Sequence, residues 1–169
     1  MAYAKGPAAL IALTGITAAR LVLGGLWLRE GIFKYNAHFG RADILLVADG
    51  ARTNTRVPHY FGVFAQTVLG RWPSVWGFIV PLIELSLGAA LLLGILTLPA
   101  ALASILTLMM YWSSDQLIAQ YPVMGALSAL VLVWPMAAAR VSVASIGVSP
   151  GSARGRYRTA WGRRSDSRW

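Results

Sequence analysis

Long uncharged intervals run through this chain, among them those bracketed by Lys5 and Arg20, Arg71 and Glu84, Glu84 and Asp115, and Asp115 and Arg140. About 20 mostly apolar residues in a helix cross the roughly 30 Å of a bilayer's hydrocarbon. Only 12% of the 169 residues are charged and 57% are hydrophobic, whereas a typical soluble domain carries about 25% charged residues. The intervals predict an all-α membrane protein, a four-transmembrane-helix bundle. Pro99 divides the longest interval, which reads as the end of one span and most of the next. The spans are expected near residues 8–34, 74–96, 99–120 and 123–147, followed by a basic tail over 148–169.

Lys5, the apolar run after it and the small residues Thr17, Ala18 and Ala19 have the ingredients of a signal peptide. Arg20 follows them directly and the apolar pattern resumes, so the segment is expected to be retained as the first span. "TLPAA" reads as a tight turn, with Thr97 as the N-cap and Pro99 in the first helical turn, where a missing N–H does no harm. "QYP" reads as the other short turn. The long connection from Tyr35 to Pro73 holds two apolar stretches, "ADILLVADG" and "YFGVFAQTVLGRW". It is expected to be partly ordered, as a compact cap over the outer mouth of the bundle. The tail carries six arginines against Asp166, so by the positive-inside rule both termini are expected to be cytoplasmic.

Charges inside a span are costly, so they point to function or to pairing. Arg20, Gly24, Trp27, Gly31 and Lys34 are spaced by 4, 3, 4 and 3 residues, which puts them on one helical face. The glycines allow a neighbouring helix to come close, and Glu30 precedes Lys34 in the favourable order for an intrahelical pair. Leu21, Leu28 and Ile32 are left to meet lipid. On the second span Pro81, Glu84, Gly88 and Leu91 share a face. Counted from the outer ends of their spans, Glu84 and Arg20 lie at similar depth. Two readings follow: a buried Arg20–Glu84 pair fixes helix register, or the two line a polar cavity. Glu30 and at least one of the bases Arg29 and Lys34 are expected to join Asp115 in an outer polar cluster. Trp27, His59, Tyr111 and Trp112 are candidate ligand contacts, with interfacial anchoring the simpler role for Tyr111 and Trp112.

The chain has no cysteine, which removes disulfides, thiolate ligands and cysteine-held iron–sulfur clusters. With only two histidines, His38 and His59, both in the long connection, a bis-histidine haem inside the bundle is not expected, nor is a metal site. Any redox cofactor would be a quinone or would belong to a partner. The net charge of +9 is carried largely by the tail, where arginines attract anionic lipid heads; no nucleic-acid partner is expected.

The order "R-x3-G-G-x5-G-x2-K" then "E-x3-G-x5-G", occupied by Arg20, Gly24, Gly25, Gly31, Lys34, Glu84, Gly88 and Gly94, resembles the DoxX family of bacterial four-helix membrane proteins. The long first connection and the "GILTLPAALASILTLMMY" turn into the third span fit the same pattern, so the resemblance runs from about Arg20 to Ala139. It implies a quinone-linked redox role in the bacterial plasma membrane, like that of the large subunit of thiosulfate:quinone oxidoreductase. Without a cysteine, such a role calls for another protein subunit. The alternative is a non-catalytic anchor that stabilises a larger membrane complex, through a second subunit or as a homo-oligomer.

Overall fold

The computed structural model describes residues 7–134, and the regular structure within them is entirely helical. In order come α1 (Pro7–Asn36), α2 (Arg41–Thr53), α3 (His59–Phe64), α4 (Pro73–Leu93), α5 (Thr97–Ser113) and α6 (Tyr121–Val133), with a π-helical segment, Ala65–Leu69, continuing α3. α1, over Leu10–Asn36, and α4 are long and apolar enough to cross a membrane; α5 and α6 are shorter apolar helices.

α1, α4, α5 and α6 pack as a ring in which α1 touches α4 and α6, and α5 touches the same two. Neighbours run antiparallel. Gly31 of α1 lies against Leu85 of α4, and Gly24 lies against Leu92 and the Gly88 carbonyl, so the numbering climbs on one helix as it falls on the other. These glycines are hollows for leucine knobs. A Cβ at Gly31 would sit 2.7 Å from Leu85 Cγ, and one at Gly88 would sit 2.6 Å from Leu28 Cγ. Leu28, expected to face lipid, instead fills the Gly88 hollow. The five residues spaced along one face of α1 do turn inward: Arg20, Gly24, Trp27 and Gly31 are buried and Lys34 is half-buried. So do Pro81, Glu84, Gly88 and Leu91 of α4.

The surface departs from a soluble domain's, and the mostly apolar interior also holds charges and hydroxyls. Large apolar side chains face outward, with Ile11 73%, Phe78 70% and Leu106 64% exposed, while Arg20, Glu84, Ser104 and Ser128 are at most 1% exposed. In water such a continuous apolar exterior would mark an interaction surface.

The connection between α1 and α4 is more ordered than expected. "ADILLVADG" lies within α2, and "YFGVFAQTVLGRW" covers most of α3 and the π-helical segment. Ile44, Ala48, Phe61, Ala65 and Leu69 make a small core there, against which Trp76 and Val80 of α4 pack. The start of α2 is fixed by the Asp43 Oδ2 carboxylate oxygen, which accepts from the Gly40 N–H at 2.8 Å. Gly40 in turn rests on Gly77 of α4, where a Cβ would come within 2.6 Å of the Gly40 carbonyl carbon.

Several boundaries differ from the sequence expectation. α4 stops at Leu93 because Gly94 turns left-handed at φ 69° and ψ 24°, the conformation that most often ends a helix. Leu96, rather than Thr97, is the N-cap residue of α5. α5 ends at Ser113 instead of reaching Gln120, since Asp115 adopts φ 61°. The expected end of the fourth span and the basic tail lie outside the described residues.

Gly77 and Gly25 make a clean contrast. Both are in helices, where alanine is intrinsically favoured over glycine by about 1 kcal/mol. Gly25 has open space where a Cβ would go, whereas Gly77 faces backbone that cannot step aside. Gly25→Ala should leave thermal unfolding unchanged or raise its midpoint. Gly77→Ala should lower stability by about 1–3 kcal/mol, as overpacking does, when the two are compared by circular dichroism.

Candidate functional site: a buried charge cluster beneath an apolar cavity

At the end of the bundle that carries the α2–α3 cap, termed the outer end, the Lys34 ammonium of α1 meets the Glu84 carboxylate of α4, with Nζ 2.5 Å from Oε1. Glu84 is wholly buried and the Lys34 side chain only 13% exposed. The Tyr111 hydroxyl of α5 donates to the same Oε1 at 2.5 Å. Glu30, one turn before Lys34, brings Oε2 to 3.7 Å from the ammonium. Two carboxylates thus share one lysine. Glu30 gains further donors from α6: Gln120 Nε2 donates to its Oε1, and the Tyr121 hydroxyl lies 3.5 Å from Oε2. Gln120 links onward to Arg29, whose Nη1 donates to Oε1 at 3.0 Å. Each helix of the ring supplies a member of this cluster.

The aromatic residues around it are placed by packing. Tyr111 stacks on Tyr121 with ring centroids 5.4 Å apart, and the Lys34 ammonium lies 5.0 Å from the Tyr111 ring centroid, within cation–π range. Toward the opposite end of the bundle a second polar chain crosses the core. Trp27 Nε1 donates to Ser104 Oγ at 2.7 Å, and the Ser104 and Ser128 hydroxyls are 2.7 Å apart. Buried hydroxyls and an indole N–H are tolerable because each finds a partner.

Above Lys34 and Tyr111, between the α2–α3 cap and the outer halves of α4 and α5, lies a cavity of about 260 Å³. Phe61, Phe64, Leu69 and Trp76 form much of its apolar wall, and Lys34, Thr107, Tyr111, Ser114 and Gln116 supply its polar side. The π-helical segment borders it through Leu69; such single-turn π segments often mark functional sites. An ammonium has three donors. One is engaged by Glu84, so Lys34 retains hydrogen-bonding capacity toward a ligand carbonyl.

The expected site residues separate into groups. Glu30, Lys34, Glu84 and Tyr111 come together. Glu84 meets Lys34 rather than Arg20, which is buried fourteen residues earlier on α1, roughly 21 Å away along the axis. The depth comparison failed because the outer ends of α1 and α4 are not level. Gly77 sits beside Gly40, beyond the end of α1, so α4 overshoots it and Glu84 falls near Lys34. Asp115 lies apart from the cluster. It accepts from Asn54 Nδ2 at 2.8 Å and pairs with Arg56, Nη2 to Oδ1 2.8 Å. With the Tyr60 and Ser113 hydroxyls 2.5 Å apart, these contacts tether the cap to the end of α5. Trp27 belongs to the core, Trp112 is 55% exposed, and His59 is exposed at the start of α3; none of the three borders the cavity. Among the described residues, no three His, Asp or Glu side chains gather as metal ligands. Gln120 and Tyr121 were not anticipated as members. The signal was their place in "QYP", at the outer end of a helix level with "REGIFK".

A buried pair that loses one partner strands the other charge, at about 3–5 kcal/mol, whereas loss of both can be nearly neutral. Lys34→Met and Glu84→Gln should each lower the unfolding midpoint, and the double variant should regain much of the loss. Arg20→Leu combined with Glu84→Gln should instead be additive to within about 0.5 kcal/mol, the behaviour of separated sites. Recovery in the second cycle and additivity in the first would reverse the assignment.

No family model matches the chain, and no curated protein or solved structure matches it.

Proposed function

We propose that the chain is a DoxX-like integral membrane subunit of a quinone-linked redox system in the bacterial plasma membrane, and that its outer cavity holds the quinone head group. α1, α4, α5 and α6 are the four spans, with both termini cytoplasmic and the cap on the outer side. The apolar exterior and the charges held within the bundle support the membrane reading, since buried charges with outward-facing leucines suit hydrocarbon as solvent. α5, at 17 residues, meets the lower limit of roughly 17–25 for a span.

The observation that carries the head-group reading is the pairing of an aromatic, apolar wall with a single polar side built on Lys34 and Tyr111. Small-molecule sites are mostly apolar with a few convergent polar groups. A quinone ring fits that description: its faces pack against Phe61, Phe64 and Trp76, and a carbonyl oxygen accepts from the Lys34 ammonium. Glu84 and Glu30 hold that ammonium in place. The electrons are supplied by a partner subunit, consistent with the lack of cysteine.

Trp76 lines the cavity, so a bound quinone should quench tryptophan fluorescence of the purified protein. Thr107→Phe fills the cavity from α5 and should weaken that quenching by about tenfold, equivalent to 1.4 kcal/mol, with little change in thermal unfolding. Undiminished quenching in a folded variant would refute the site. Copurification with other chains and no bound quinone would instead favour the anchoring role.

The absence of native cysteine makes topology directly readable. A membrane-impermeant thiol reagent should label Thr55→Cys in intact cells and Ser152→Cys only after permeabilisation. The opposite pattern would invert the assignment.

A further inference from the structure

We infer that the cavity opens sideways, through a portal between α4 and α5, and that its ligand is a long-tailed lipid-soluble quinone taken directly from the bilayer. This rests on the head-group reading above. Sixteen residues line the cavity, and thirteen of them are buried or half-buried. The exceptions are Ile83 on α4 and Leu106 and Met110 on α5. They are 37%, 64% and 38% exposed respectively. A residue that borders a cavity and also faces outward marks its mouth, and all three lie on one seam. The cap side is closed by contrast: Ile44, Phe61 and Leu69 are buried there.

The chemistry of the rim matches the direction. An opening framed by isoleucine, leucine and methionine admits an apolar chain and offers nothing to a hydrated solute. The polar groups lie deeper, so an amphiphile would pass head first and leave its tail at the seam. Size points the same way. About 260 Å³ is below the roughly 300–1,000 Å³ of sites that enclose a drug-sized ligand, so the cavity accommodates a ring and excludes a polyisoprenoid tail. Leu106 lies seven residues before the outer end of α5, or roughly 10 Å along its axis. That depth keeps the tail among acyl chains. Methionine at such a rim suits a moving apolar chain, being unbranched and adaptable.

The test uses the full chain in lipid vesicles with two probes. One is a long-tailed ubiquinone dissolved in the bilayer; the other is the tail-less dimethoxy-methyl-benzoquinone added from water. Binding is read by tryptophan quenching, with thermal unfolding as the control for folding. The portal variant is Ile83→Phe with Leu106→Phe. The expected result is a loss for the tailed probe about tenfold greater than for the tail-less one, a difference of 1.4 kcal/mol. Equal losses, or no loss for either probe, would overturn the portal while leaving the cavity as a head-group site. If the unaltered protein binds neither probe, the head-group reading fails and the portal falls with it. Should the double variant unfold, Leu106→Phe alone, at a position already exposed, gives the same comparison.

Discussion

One ammonium group, on Lys34, stands between the carboxylates of Glu30 and Glu84, and the outer half of the bundle is arranged around it. Its contact with Glu84 fixes α1 against α4, the Tyr111 hydroxyl brings α5 to the same oxygen, and Glu30 extends the set to α6 through Gln120 and Tyr121. Burying charge is expensive unless partners are close and hydrogen-bonded. The glycine hollows meet that demand from below. With Leu85 seated at Gly31 and Leu28 at Gly88, α1 and α4 approach closely enough for a short lysine–glutamate contact.

Two levels of the bundle are held by different chemistry. The outer end is ionic and aromatic, with a cavity beside it. The Ser104–Ser128 level is neutral, crossed by the Trp27 indole and two serine hydroxyls, and tightly filled by Leu23, Leu91 and Met124. Neutral hydrogen bonds suit a region that only has to pack. A charge cluster retained at a net cost of desolvation is a candidate for chemistry.

Helix content and the inward face of α1 were legible because both depend on local patterns, namely charge-free runs and a 3–4 residue spacing. The partners of the charges were not, because they depend on how far one helix is shifted along another. Counting inward from each span's outer end presumed that those ends were level. The Gly40–Gly77 contact, which offsets them, joins a loop residue to a helix residue with nothing in either neighbourhood to announce it. Asp115 was misplaced for a similar reason. Its left-handed backbone turns the chain away from the cluster and toward Asn54 and Arg56. The roles of Ser104 and Ser128 were equally silent, since a lone serine in an apolar run gives no sign of its partner.

The tethers of the cap have a consequence for how the molecule is assembled during synthesis. Asn54 and Asp115 are separated by 61 positions and Tyr60 and Ser113 by 53, and contacts of such sequence separation form slowly because a long loop must close first. The cap's own core, from Ile44 to Leu69, and its rest on Trp76 and Val80 are complete once α4 has emerged. Its fastening to α5 has to wait for Ser113 and then Asp115. The cavity therefore acquires its α5 wall and its fastened roof after the cap has formed, and a chain arrested between α4 and α5 would present an open cap with its aromatic lining exposed.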